Sequence, residues 1–145
     1  MVKKIISFRH AVNLGTLILS LLSLFHLVII VGIYFFDFVP IEFLWGGKME
    51  TRNELLQFEI ISLLVSVFCV FIVLVRSGAI KISGLLGFSR VVLWLLFVLF
   101  IFNTLGNLIA ETIFERVFAL VTIVLAISCL RMALEPINNA KGETN

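Results

Sequence analysis

Residues 91–134 read VVLWLLFVLFIFNTLGNLIAETIFERVFALVTIVLAISCLRMAL. Two apolar runs, 91–110 and 117–134, flank a few polar residues. Each run comes close to the roughly 20 residues that an α-helix needs to cross a bilayer core. Within the polar interruption, Thr112-x-x-Glu115 fits a capping box, in which a threonine hydroxyl and a glutamate carboxylate satisfy the free backbone donors of a helix start. A helix that starts near Ile113 leaves almost no loop after one that ends near Ala110. The stretch therefore predicts a tight antiparallel hairpin of two spanning helices, 90–110 and 113–134.

Two further apolar runs lie upstream, at 11–36 and 57–75. A second capping box, Thr51-x-x-Glu54, moves the start of the latter helix back to Arg52, and Gly78 is placed to cap its C-terminus. Pro40 and Pro136 are stop signals after the first and fourth helices. The expected fold is an all-α membrane protein, a single four-helix transmembrane bundle over 1–145. Its helices are expected at 11–36, 52–75, 90–110 and 113–134, with an outer loop 37–51, an inner loop 76–89 and a tail 135–145. Bulk composition agrees. The chain is 61% hydrophobic and 14% charged, with mean hydropathy +1.21, whereas soluble domains run near 45–50% apolar and about 25% charged.

Charge sets the expected orientation. Eight of the eleven basic residues (Lys3, Lys4, Arg9, Arg76, Lys81, Arg90, Arg131, Lys141) fall on one side of the predicted bundle, and three (Lys48, Arg52, Arg116) on the other. The positive-inside rule then places both termini in the cytoplasm. Seven of the nine acids lie at the opposite, outer side. The Lys3-Lys4 start precedes a run too long for a signal peptide and lacking a small-residue cleavage site, so the first helix is expected to stay uncleaved. A net charge of +2 argues against nucleic-acid binding. Cys69 and Cys129 lie in separate runs without a CxxC or a metal-ligand spacing, so neither a thiol oxidoreductase nor a metal centre is expected, and no cofactor.

Polar residues inside the spans are the candidate site. Asn103, Asn107 and Glu111 stand at i, i+4 and i+8, on one helix face, as a stripe about 12 Å deep. Glu59, Ser62, Ser66 and Cys69 make a comparable stripe on the second helix, and Glu115, Ala119, Thr122, Ala126 and Cys129 one on the fourth. On the first helix His26 lies near mid-span, where a charge is expensive, so a neutral ring is expected with Glu59 or Glu111 as a partner. Counting turns places Glu59 one or two turns above His26, and returns Asp37 to the face of His26. Packing explains the same residues by other means. Asn103 and Asn107 can join helices, with Gly106 and Ala110 as a small-xxx-small contact, and serine and threonine hydroxyls can bond back to their own helix. In the outer loop, Phe43-Leu44-Trp45-Gly46-Gly47 is either an interfacial belt and turn or a lid over the polar seam.

There is also a faint internal repeat. Residues 58–66 (FEIISLLVS) align with 114–122 (FERVFALVT), and the pair Arg9 and His26 matches Arg90 and Asn107 in spacing. A parallel duplication of a helix hairpin would produce this pattern.

The segments LWGGKMETRNELLQFE (44–59), FNTLGNLIAETIFE (102–115) and LAISCLRMALEP (125–136) resemble a family of small bacterial four-helix membrane proteins of unassigned function. That family carries a Leu-Trp-Gly-Gly-basic loop, an Asn-Thr-x-Gly-Asn turn and a Cys-Leu-Arg ending in the same order. The resemblance covers about residues 10–136 and implies a bacterial cytoplasmic membrane protein, but no activity. It picks out Trp45, Gly46, Gly47, Asn103, Gly106, Asn107 and Glu115. A looser architectural likeness, without the matching aromatic-proline signatures, is to the sterol-isomerase and sigma-2-receptor superfamily, in which membrane-embedded acids hold a cationic ligand.

Three functional classes stay open at this point. The chain is expected to hold an outward-opening polar pocket for a small or lipidic ligand, contacted by His26, Glu59, Asn103, Asn107, Glu111 and Trp45. Alternatives are an accessory subunit whose polar seams are packing surfaces, and a proton-coupled transporter or membrane enzyme that uses His26 with Glu59 or Glu111. Four helices enclose little space, so transport would require a homo-oligomer. The bilayer itself is the expected partner.

Overall fold

The computed structural model describes residues 6–110 and 112–137. Four helices form in chain order, α1 (Phe8–Phe36), α2 (Arg52–Ser77), α3 (Leu86–Leu108) and α4 (Ile113–Ala133), with short 3-10 turns at Trp45–Gly47 and Ser83–Leu85. All four are long and apolar enough to cross a membrane. The chain is a polytopic membrane protein built as a four-helix bundle.

Local chemistry sets the helix ends. Ser7 accepts the backbone N–H of His10, so α1 begins three residues ahead of its apolar run. Both halves of the Thr51–Glu54 capping box are made. At Thr112 only the first half is: the hydroxyl accepts the Glu115 N–H, and it also donates to the Glu115 carboxylate at 2.8 Å. Gly78 caps α2 in the left-handed conformation, φ 81°, where a glycine carries no steric penalty. α1 ends at Phe36, as expected, and the chain leaves it at Asp37, itself left-handed at φ 50°, three residues ahead of Pro40. The backbone N–H groups of Asp37 and Phe38 both return to the Gly32 carbonyl. The exposed Asp37 carboxylate faces Arg52 at 3.4 Å.

The helices pack in a ring, each against its neighbours in sequence, with α4 closing against α1. Packing is closest within the hairpins α1–α2 and α3–α4, and loosest between α2 and α3. Gly15 brings α1 close to α4, because a Cβ there would stand 3.4 Å from Met132. Gly106 does nothing comparable. A Cβ at this position meets nothing within 4 Å, so Gly106 does not bring another helix close.

The apolar interior falls into two clusters. The larger is built on Leu19, Ile72, Leu93, Leu125 and Met132, toward the end where α2 meets α3. The smaller comprises Ile29, Ile33, Leu44 and Leu55, at the end that carries the 37–51 loop. Between them lies a polar level. Outside, α1 presents Leu17, Leu21, Leu24 and Val28, and α3 presents Val91, Leu95 and Phe102. An apolar surface of this extent is the expected lipid-facing side of a spanning bundle, and would be a liability in water.

Candidate functional site

The polar level centres on Glu59, whose side chain is fully buried. Burying a carboxylate is costly unless its oxygens are bonded, and both are. Oε2 lies 2.7 Å from His26 Nδ1, and Oε1 accepts the Trp45 indole N–H at 2.9 Å. The Glu59 carboxylate thus reaches His26, as one of the two partners expected for that ring. With Nδ1 committed to Glu59, the other ring nitrogen of His26 has no partner among the described residues. The His26 side chain is 14% exposed, so it reaches the edge of the buried level.

Trp45 arrives from the loop in an unusual backbone state. Its φ is 55°, in the left-handed region that bulky residues avoid. Such a state costs on the order of 1–3 kcal/mol and persists only where the surroundings over-determine it. Here they do. Leu44 is buried in the smaller core cluster, the Trp45 ring packs on Phe58 at 5.3 Å between centroids, and the indole N–H is fixed on Glu59. Gly47, also at positive φ, completes the turn. The loop end is therefore tied into the bundle through an aromatic anchor and is more than an interfacial belt.

Beneath Trp45 a cavity of about 310 Å³ runs between all four helices. His26, Glu59, Trp45, Asn103 and Asn107 line it, together with Ser62, Ser66, Glu115 and Thr122. Its walls are otherwise apolar and largely aromatic, with Phe25, Phe43, Phe100, Phe114 and Phe118. None of the described lining residues is lysine or arginine. Such a mixture, a mostly apolar concavity with a few convergent polar groups, is the usual make-up of a small-molecule site. The volume is at the lower end of the ~300–1,000 Å³ typical of one.

Five of the six residues expected at the site are brought to this cavity. Glu111 lies outside the described residues. Asn103 and Asn107 line the cavity, and among the described residues neither amide has a hydrogen-bond partner. Glu115, part of the polar stripe expected on the fourth helix but outside the expected contacts because capping already accounts for it, also lines the cavity. The reading by residue type missed the aromatic wall, because phenylalanine in an apolar helix carries no signal of its own. The hydroxyl pair Thr104–Thr122, 2.9 Å apart and buried, is a packing bond between α3 and α4 at the cavity edge. Ser23 bonds back to the Leu19 carbonyl and has no further role to explain.

Comparison with protein-family models, curated proteins and solved structures gives no match for this chain.

Proposed function

We propose that this chain is a binding protein of the bacterial cytoplasmic membrane, with both termini cytoplasmic, whose cavity opens toward the outer side and holds a small amphiphilic ligand. The observation that carries the reading is the Trp45–Glu59–His26 chain, centred on a buried carboxylate, at the head of a 310 Å³ cavity. Packing alone would not need a strained tryptophan, a buried carboxylate and an open volume at one level, since an apolar core of the same shape is cheaper. The orientation rests on the eight-to-three division of basic residues. The bacterial membrane rests on the resemblance to small four-helix proteins. His26, Glu59, Trp45, Asn103 and Asn107 are the proposed contacts, with Glu111 added from its place in the sequence.

The test is mass spectrometry of small molecules that stay with the detergent-purified protein. Wild type should retain an amphiphile. His26→Phe, which fills the site and removes its ring nitrogens, should lose it, and should also unfold at a lower temperature because Glu59 Oε2 is left without a donor. An empty wild type would make the polar level a packing device and the chain an accessory subunit.

One observation favours a second reading. A histidine and a carboxylate 2.7 Å apart inside a membrane span can share and pass a proton. In that case an assembly of several copies would couple solute movement to a proton gradient. Uptake into vesicles would then follow the gradient and vanish in Glu59→Gln. Uptake that ignores the gradient removes this reading.

A further inference from the structure

We infer that the cavity is entered sideways from the bilayer, between α2 and α3, and that its occupant is a single-chain lipid with a small uncharged head. The inference rests on the cavity-binding reading above.

The opening follows from the packing. Although α2 and α3 are consecutive, they are the most loosely packed neighbours in the ring. Ile61 and Val65 of α2, and Leu99 and Asn103 of α3, line the cavity and are nevertheless exposed on the outside of the bundle. A residue on both surfaces marks a mouth. At about 1.5 Å per residue, this mouth lies roughly 8–20 Å inside the loop end of the helices. That depth is hydrocarbon, not water.

Asn103 makes the mouth unlike ordinary lipid-facing surface. Its amide is exposed there and has no hydrogen-bond partner among the described residues. An amide left against hydrocarbon is costly, and it both donates and accepts. A ligand head that does the same would satisfy it.

The electrostatics select the head. The described lining offers no cation to hold a phosphate or carboxylate head, and it contains two acids. Glu59 is bonded at both oxygens, by His26 and Trp45, and Glu115 at one, by Thr112, so the cavity offers an amine no carboxylate with both oxygens free. An uncharged hydroxyl-bearing head fits what is left: the two asparagines and the free ring nitrogen of His26.

Volume selects the chain. At about 30 Å³ per water-sized group, 310 Å³ holds roughly ten such groups. That is a small head and the first methylenes of one chain. A lateral mouth lets the rest of that chain stay in the bilayer.

The test uses the full chain in phosphatidylethanolamine vesicles doped with 1-oleoylglycerol that carries a diazirine on its chain. After illumination, labelled peptides are mapped with and without excess unlabelled 1-oleoylglycerol. Competable label should fall on 61–69 and 96–103. Asn103→Leu should reduce it roughly threefold to tenfold, the equivalent of one hydrogen bond. Val65→Phe with Leu99→Phe should abolish it, while Leu64→Phe, on the lipid face of α2 and outside the cavity lining, should leave it unchanged. If the double variant does not fold, Asn103→Leu decides. Competable label that survives the plugged mouth overturns the lateral route and leaves the cavity reading standing. Preferential labelling by the matching lysophosphatidylglycerol probe overturns the head assignment. Absence of competable label in wild type, together with no retained amphiphile on purification, overturns both this inference and the cavity reading.

Discussion

Glu59 has two partners of different kinds, and they can be separated by substitution. Trp45→Phe keeps an aromatic ring against Phe58 but removes the indole N–H. One carboxylate oxygen is then buried without a donor, at a cost of about 1–3 kcal/mol. The relief of backbone strain does not offset this, because phenylalanine is as poorly suited to φ 55° as tryptophan. Unfolding in detergent, followed by circular dichroism, should show the loss. Glu59→Gln behaves differently. A glutamine can accept from Trp45 through its oxygen and donate to His26 through its amide, so stability should change by less than about 1 kcal/mol. Glu59→Leu orphans both neighbours and should be the most damaging of the three. Equal effects for Gln and Leu would mean that the hydrogen bonds contribute little and that shape alone matters. Of this level, the sequence revealed which residues were out of place in lipid: His26, Glu59, Asn103 and Asn107. It offers the 43–47 stretch as a lid and Trp45 as a contact, but not the bond that ties Trp45 to Glu59. The Trp45–Glu59 bond crosses a loop whose path depends on two unusual φ angles, and no periodicity encodes those.

The elements are held at their ends by arginines, and this was the largest gap in the sequence reading. Counting charges treated arginine as a marker of topology. In the fold, five guanidinium groups donate to backbone carbonyls. Arg52 bonds Ile33 at the end of α1, and Arg116 bonds Ala110 just past the end of α3. Arg76 of α2 bonds Met132 and Glu135, and Arg90 of α3 bonds Ala133, both at the end of α4. Arg131 bonds Ile6 ahead of α1 and the Glu135 carboxylate at 2.6 Å. The physical reason is common to most of them. The last carbonyls of a helix have no intrahelical donor, and the dipole there favours a cation. Helix existence and type were legible because four long apolar runs leave no alternative. The clamps were not, because they depend on which helix end lies beside which side chain. Arg76 is fully buried and forks onto two carbonyls. Arg76→Lys keeps the charge but not the fork, so unfolding measurements should show a loss of roughly 1.5–3 kcal/mol. A similar substitution at exposed Arg9 should change little. At the other end of the scale, the Thr104–Thr122 pair should show a small coupling in a double-mutant cycle to valine, near 0.6 kcal/mol and below about 1.7, as bonds between membrane helices usually do.

Across the whole molecule, these ties are unevenly distributed. At the end with the α2–α3 connection, Arg76 and Arg90 fasten α2 and α3 to the same terminus of α4, and the larger apolar cluster fills the space below. At the other end, the cavity lies between α2 and α3, Leu44 and Trp45 tie the loop to the first hairpin, and Phe25 of α1 meets Phe114 and Phe118 of α4 across the hairpins. In that sense the α2–α3 seam is a wedge, tied at the Arg76–Arg90 end and opening onto the cavity toward the loop end. The faint repeat falls on this geometry: His26 and Glu59 from the first hairpin face Asn107 and Glu115 from the second across one cavity. Residues that align in the sequence thus line opposite walls of the cavity, which is how two hairpins in the same orientation would share a site. The wedge has a dynamic consequence. Local opening is easiest where buried apolar contacts are few, so α2 and α3 should open first near Ser62 and Asn103 and last near Arg76 and Arg90. Amide hydrogen exchange in detergent micelles should therefore show faster exchange in 58–66 and 99–107 than in 70–76 and 89–96, although all four segments are helical and apolar. Arg76→Lys should raise exchange in the protected segments and narrow the difference. Trp45→Phe should act only on the loop-end pair. Uniform exchange along α2 and α3, unchanged by either substitution, would mean that the bundle opens as one unit and that its two ends are mechanically equivalent.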